Sequence, residues 1–187
     1  THFGEMEFYE SAGLDYDSEL LNWFDEHLKE IPNQSKLPPV SIFVMGENKW
    51  LAGKEWPLSR AISTDFYLHS TGNATVSKAD GILSNEVPGQ EQSDSYVFDP
   101  ANPLWDISFE KSYPYDQRDN EIRKDVLVYT SAPLKDDLTV VGEVVAELFV
   151  SSSAKDTDFS ITLTDVYPDG KSINLSGMDA GYLRMRY

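Results

Sequence analysis

The sequence contains no cysteine, and this absence sets the first limits on its function. A disulfide scaffold, a thiol nucleophile and a cysteine-bound metal are all excluded. No apolar run approaches the roughly 20 residues that a membrane-spanning helix needs. Residues 1–5 are neither basic nor continuously apolar, so we predict no signal peptide. Because the chain does not begin with Met, we expect it to start inside a longer protein.

Basic residues are also scarce. The chain has 15 Lys and Arg against 32 Asp and Glu, which gives a formal net charge of −17. Such a surface repels phosphate backbones and anionic lipid heads, so we predict no nucleic-acid partner and no membrane partner. The charge predicts a soluble chain and leaves the compartment open, with the cytoplasm slightly favoured.

Apolar residues are plentiful enough for a packed structure. Hydrophobic residues make up 40% of the 187 positions and aromatic residues 12%. This composition argues against disorder, and the length allows one full domain or parts of two.

The first 50 residues show an α/β pattern. Residues 18–29 are predicted to form a helix, because apolar residues recur at spacings of three and four: Leu20, Leu21, Phe24 and Leu28. Residues 40–45 are apolar at five of six positions and end at Gly46, which is typical of a strand buried on both faces of a parallel sheet.

From about residue 50 the pattern changes to short strands separated by turn residues. Alternating or apolar runs predict strands at 65–69, 94–98, 144–150 and 159–166, with others beginning near 125, 138, 171 and 181. We therefore predict two domains, 1–55 and 56–187.

Several longer sequence motifs resemble those of a known protein family. They are Trp23-Phe24-Asp25-Glu26-His27-Leu28-Lys29, Pro38-Pro39-Val40-Ser41-Ile42-Phe43-Val44-Met45-Gly46, Glu55-Trp56-Pro57, Asp94-Ser95-Tyr96-Val97-Phe98-Asp99-Pro100, Asp156-Thr157-Asp158-Phe159 and Asp165-Val166-Tyr167-Pro168-Asp169-Gly170. Together they resemble the C-terminal portion of the CocE/NonD group of serine hydrolases. That group contains cocaine-esterase-like acyl hydrolases and X-prolyl dipeptidyl peptidases.

The resemblance implies a mainly β fold in two unequal parts. Residues 1–55 would be the tail of an α/β-hydrolase domain, a helix plus the last parallel strand. Residues 56–187 would be an incomplete β jelly-roll sandwich, the N-terminal part of the X-Pro dipeptidyl-peptidase-type C-terminal domain. Since the sequence has no Gly-x-Ser-x-Gly elbow, the nucleophilic Ser and the triad Asp are expected upstream, and the chain alone should be inactive.

Three residues are candidates for the site that this resemblance implies. His2 matches the family order Ser, Asp, His and would be the triad base; the alternative is a non-catalytic histidine on an exposed terminus. Trp105 and Phe109 lie after the Asp99-Pro100 motif and would line the acyl pocket. A loop of aromatic residues packed on the sandwich is at least as good an interpretation.

We predict no metal and no cofactor. Carboxylates alternate at Asp156, Asp158, Asp165 and Asp169, but the pattern fails the calcium-loop template. Asp169 and Gly170 instead predict a hairpin turn after Pro168.

The resemblance thus implies part of a hydrolase that acts on a small acyl ester, an amide or a peptide after a penultimate proline. Its expected partners are the remainder of the parent hydrolase, including the upstream Ser and Asp and downstream jelly-roll strands, with a homo-oligomer as a further option. The alternative class is a non-catalytic jelly-roll module that binds carbohydrate or protein.

Overall fold

The computed structural model describes residues 2–3, 6–75, 79–104, 114–175 and 182–186. The described elements are β1 (His2–Phe3), β2 (Met6–Glu7), a 3-10 turn (Glu10–Ala12), α1 (Tyr16–Lys29), β3 (Val40–Val44), β4 (Lys49–Gly53), β5 (Tyr67–His69), β6 (Ile82–Ser84), α2 (Arg118–Glu121), β7 (Asp156–Ser160), β8 (Thr164–Val166), β9 (Ser172–Asn174) and β10 (Tyr182–Arg186). Strands outnumber helices, and each described sheet is an antiparallel pair. The predicted mainly β class is confirmed.

The chain divides into two compact units. The first comprises residues 1–62 with 139–143, and the second comprises 63–138 with 144–187. The first unit therefore contains the elements from β1 to β4, and the second contains those from β5 to β10. The parent-domain boundary between residues 55 and 56 stays a prediction.

The predicted helix is present as α1. The Asp15 carboxylate caps its first turn by accepting from the Ser18 backbone N–H at 3.2 Å and from the Ser18 hydroxyl at 2.7 Å. Glu30 ends it in the left-handed region, at φ 57°. None of the helix residues is buried, and its large apolar side chains are exposed: Leu20, Leu21, Trp23, Phe24 and Leu28. Among the described helices, none has the length and apolar content that a membrane span requires.

The predicted strand at 40–45 is present as β3, but its pairing differs from the expected one. β3 pairs antiparallel with β4, in a register that runs from Val40 opposite Gly53 to Val44 opposite Lys49. A four-residue turn joins them, with Gly46 at φ 87° and Asn48 at φ 52°. Since so short a connection can join only antiparallel neighbours, a parallel pairing of β3 with β4 is excluded. All five residues of β3 are half-buried instead of fully covered.

Aromatic contacts fix the β3–β4 hairpin within the first unit. Phe43 meets the buried Phe8 edge-on, with ring centroids 5.9 Å apart, and meets Trp50 at 5.5 Å. The Trp50 indole N–H donates to the Ser11 carbonyl at 2.8 Å. These contacts tie the hairpin to the segment before α1 and give this unit a small aromatic core.

In the second unit, β5 and β6 form a hairpin to which a third segment adds. Thr130 forms an isolated parallel bridge with Ile82, and Leu83 N–H donates to the Thr130 carbonyl at 3.1 Å. The approach is close at Gly81, where an added Cβ would lie 1.9 Å from the Val128 carbonyl oxygen. Only glycine fits there, because any side chain would push the two segments apart.

Four predicted strands are not formed, and a fifth is split. The segments beginning near 125 and 138 contain no described strand, apart from the isolated bridge at Thr130. Residues 94–98 and 144–150 have no strand partner among the described residues, and Phe149 is 97% exposed. The predicted strand 159–166 is interrupted between β7 and β8. An alternating pattern predicts a strand only where a partner supplies the hydrogen bonds, and these segments lack one within the described chain.

Candidate functional site

Of the three predicted site residues, only His2 belongs to the part of the chain that the structure describes. His2 lies in β1, where its backbone is opposite Glu7 of β2. Trp105 and Phe109 lie outside the described residues. The triad role of His2 and the pocket roles of the two aromatic residues stay predictions.

The four alternating aspartates are distributed over separate elements. Asp156 and Asp158 belong to β7, and Asp165 belongs to β8. Asp169 lies in the turn between β8 and β9, where its carboxylate accepts from Lys171 N–H at 2.9 Å and Gly170 adopts φ 82°. The predicted hairpin turn is therefore confirmed. Within the described ranges, the structure places no three acidic or histidine side chains where they could hold a metal.

The structure instead brings together a polar cluster that the sequence did not reveal. We call it the His69 cluster, and its members come from the end of β5, the end of β6 and the segment after β6: His69, Ser70, Ser84, Glu91 and Asp94. These residues are separated by up to 25 positions, and the β5–β6 pairing, with His69 opposite Ile82, brings them together.

His69 is at the centre of the cluster. Its Nδ1 lies 2.8 Å from a carboxylate oxygen of Glu91, and its Nε2 lies 2.9 Å from the backbone carbonyl oxygen of Glu86. Both partners only accept hydrogen bonds, so both ring nitrogens must donate. The hydrogen bond that His69 donates to Glu91 is the largest cause that raises the pKa of His69 above its ordinary value. The geometry thus favours the charged imidazolium.

The same cluster has the distances of a catalytic triad but not its proton arrangement. The Ser84 hydroxyl oxygen lies 3.1 Å from His69 Nε2, and Glu91 holds the opposite ring nitrogen. A catalytic base needs a free lone pair on Nε2 to remove the serine proton. In the charged form, Nε2 donates to the Glu86 carbonyl and has no free lone pair, so in that form the cluster does not provide a base for Ser84.

Asp94 connects three segments of the second unit. Its carboxylate accepts from the Ser70 hydroxyl at 2.5 Å, the Tyr129 hydroxyl at 2.7 Å and the Ala74 N–H at 2.8 Å. Burial opposes ionisation of Asp94 most strongly, yet the hydrogen bonds from Ser70, Tyr129 and Ala74 hold its pKa below the ordinary value. The pKa of Tyr129 is raised, first by burial and then by its bond to Asp94. This carboxylate fixes the local backbone.

Asp80 organises the turn that follows β5. Its carboxylate accepts from the Thr71 hydroxyl at 2.6 Å and from the backbone N–H groups of Thr71 and Asn73 at 3.0 and 2.8 Å. The hydroxyl bond from Thr71 is the largest cause that lowers the pKa of Asp80. The Asp80 carboxylate thus caps the turn, and the capped turn positions Ser70 and Ala74.

A second polar cluster joins α2 to β9. The Asn174 side-chain oxygen accepts from Tyr115 N–H at 2.8 Å, and the Ser172 hydroxyl donates to Glu121 at 2.5 Å. Asn174 is 3% exposed, and Ser172 and Tyr115 are also buried. Nearby, the Arg118 guanidinium lowers the pKa of Asp116 to about 2. Buried polar groups that are fully hydrogen-bonded favour one local conformation, so we assign this cluster a structural role.

Replacing Asn174 by alanine should lower the free energy of unfolding by about 1–3 kcal/mol, because the buried Tyr115 N–H loses its acceptor. Denaturant titration of the chain would measure this loss. Asn33→Ala is the matched control, since Asn33 is exposed and, among the described residues, accepts from nearby Ser35 N–H at 2.7 Å. Equal effects of the two substitutions would show that the α2–β9 cluster does not stabilise the fold.

The described features define a mainly β structural domain with clustered polar contacts between its loops, preceded by an exposed amphipathic helix and a hairpin. Comparison with known families agrees with this class. The family of the X-Pro dipeptidyl-peptidase C-terminal non-catalytic domain matches residues 33–187. The chain belongs to this family, which confirms the resemblance found in its sequence.

Relatives of this chain are hydrolases. It is 42% identical over 172 residues to the cocaine esterase of Rhodococcus sp. (strain MB1 Bresler), an alignment that covers 88% of the chain and 29% of that protein. It is also similar to the crystal structure of an aminopeptidase from the marine sediment archaeon Thaumarchaeota archaeon. That match has a TM-score of 0.67 and 27% identity, and it covers 98% of the chain and 31% of the other. The chain therefore spans less than a third of the length of either relative.

Proposed function

We propose that this chain is the C-terminal part of a serine-dependent acyl hydrolase that cleaves a small ester, an amide or a peptide bond after a penultimate proline. Its membership of the X-Pro dipeptidyl-peptidase C-terminal family supports this proposal, as does its similarity to a cocaine esterase and an aminopeptidase. In this proposal the nucleophile belongs to the remainder of the parent protein, and the match of residues 33–187 to a non-catalytic domain supports that placement.

The exposed apolar face of α1 is the observation that carries the proposal. Leu28 is 74% exposed and Leu21 is 58% exposed, although the spacing of the apolar residues is that of a helix with one buried side. In the described part of the chain, β3 has β4 as its single strand partner, so its other edge is available for pairing. A catalytic α/β domain would cover both the helix face and this edge, whereas a free-standing binding module has no need of either.

In this proposal, the chain contributes three parts to the enzyme. His2 takes the proton from the serine hydroxyl as the oxygen attacks the substrate carbonyl, and then gives that proton to the leaving alcohol or amine. Water, activated by the same histidine, hydrolyses the acyl-enzyme and releases the acid. Trp105 and Phe109 line the acyl pocket, and the second unit forms a non-catalytic wall beside the cleft.

A fluorophosphonate label tests this assignment directly. Since it reacts with an activated serine, the full-length parent should be labelled stoichiometrically and lose its turnover of an activated ester. Peptide mapping should place the adduct outside residues 1–187, and this chain alone should be neither labelled nor active.

A label on any serine of this chain, Ser84 included, would contradict the proposal. A full-length protein that resists the label and hydrolyses no ester, amide or X-Pro peptide would favour the binding-module alternative. Glycan-array or pull-down binding of the second unit would then be the expected result.

A further inference from the structure

We propose that His69 is a pH-sensitive latch: in its charged form it fastens residues 86–91 to the β5–β6 hairpin, and its deprotonation at alkaline pH releases one of the two attachments. The proposal concerns a conformational device within the second unit. It does not rest on the hydrolase function, because every group involved belongs to this chain.

The two attachments begin at opposite sides of the imidazole ring. Nδ1 donates to the Glu91 carboxylate at 2.8 Å, and Nε2 donates to the Glu86 carbonyl at 2.9 Å. His69 is the last residue of β5, so the ring links the end of that strand to Glu86 and Glu91, which both lie in the segment after β6. A neutral imidazole has one N–H, and it can satisfy only one of these two acceptors. Loss of the proton therefore leaves one acceptor facing a lone pair.

The attachment at Glu91 extends to the backbone after β5. The second carboxylate oxygen of Glu91 accepts from Ser70 N–H at 3.1 Å, and the Ser70 hydroxyl donates to Asp94 at 2.5 Å. Glu91 and Asp94 therefore hold the same residue from two sides. Deprotonation of His69 removes the positive charge that strengthens its bond to Glu91, which would loosen this arrangement while leaving the Asp94 bonds to Tyr129 and Ala74 in place.

In the described ranges, the two charged groups that face the ring are both acidic. Glu91 contacts it directly, and Glu86, which follows β6, adds a favourable electrostatic interaction; the third neighbour, Ser84, is neutral. The side chains of His69 and Glu91 are 17% and 31% exposed, so solvent only partly screens the pair. In the reverse direction, the His69 hydrogen bond is the largest cause that lowers the pKa of Glu91.

The sign of the pH dependence follows from these directions. Because folding raises the pKa of His69, the latch contributes its full stabilisation below the ordinary histidine pKa of about 6.5 and loses it as pH rises through the folded value. Glu91 sets the acidic limit: its pKa is lowered, so its contribution is lost only as pH falls below the ordinary glutamate range. The latch is closed between these two limits.

Two measurements on the full chain test the proposal. NMR titration of the chain should give His69 a pKa above the ordinary histidine value of about 6.5. Hydrogen exchange, corrected for intrinsic rates, should show protection of residues 86–91 falling by roughly threefold or more between pH 6 and pH 8.5. Protection of α1 should stay constant. A His69 pKa at or below the ordinary value, or constant protection of residues 86–91, would overturn the proposal.

Matched variants separate the charge from packing. Glu91→Gln keeps the shape but removes the charge, so the pKa of His69 should fall toward its ordinary value and the pH dependence of residues 86–91 should shrink. His69→Gln should remove that dependence altogether, while His27→Gln should leave it unchanged. A pH dependence that persists in His69→Gln would assign it to another group. Should a variant fail to fold, the titration of the unmodified chain decides the question.

Discussion

Replacing His2 by alanine should lower kcat for an activated ester in the full-length protein by a factor on the order of 10⁴ or more. In the proposed triad His2 is the only group that can accept the serine proton, and without it the hydroxyl remains a weak nucleophile. Steady-state kinetics would measure the loss. KM should change little, because the histidine acts on the transition state more than on the bound substrate.

The control for this experiment is His27→Ala. His27 stacks on Trp23 with ring centroids 4.3 Å apart and donates to or accepts from nothing beyond its own helix in the described contacts. Its replacement should leave turnover within a factor of two. A loss of less than tenfold in His2→Ala would exclude His2 as the base and assign that role to another histidine of the parent protein.

Local sequence signals predicted the parts of the fold that local interactions determine. The apolar spacing that predicted α1 lies within one segment, so its prediction needed no knowledge of the rest of the chain. The β8–β9 hairpin was predicted from the Pro168-Asp169-Gly170 turn for the same reason. Motif matches across much of the sequence were sufficient to identify the family, because they reflect common ancestry and need no knowledge of the packing.

Features that depend on distant partners were not predictable in the same way. The apolar run at 144–150 predicts a strand, but a strand exists only where another segment completes its hydrogen bonds. Likewise, His69 has Glu91 and Ser84 at separations of 22 and 15 residues, and no known spacing marks such a cluster. The alternation of apolar residues indicates which side chains should be buried, but it does not indicate which segment buries them.

Replacing Leu21 by glutamine should separate the full-length protein from this chain alone. In the chain alone, Leu21 is 58% exposed, so the free energy of unfolding should change by less than about 0.5 kcal/mol. In the full-length protein, where a catalytic domain is proposed to cover α1, the same change should cost about 2–4 kcal/mol, because it removes apolar burial and buries an amide. Denaturant titration of both proteins measures the difference.

Glu26→Gln serves as the matched control, because Glu26 lies on the opposite, polar side of α1 and should tolerate the change in both proteins. A hydrophobic dye should also bind the isolated chain and bind the full-length protein much less, since the face formed by Leu20, Leu21 and Phe24 would be covered only there. Equal sensitivity of the two proteins to Leu21→Gln would mean that α1 stays exposed in the parent. The helix and the β3 edge would then need another explanation, and the assignment of residues 1–55 to a catalytic domain would fail with them.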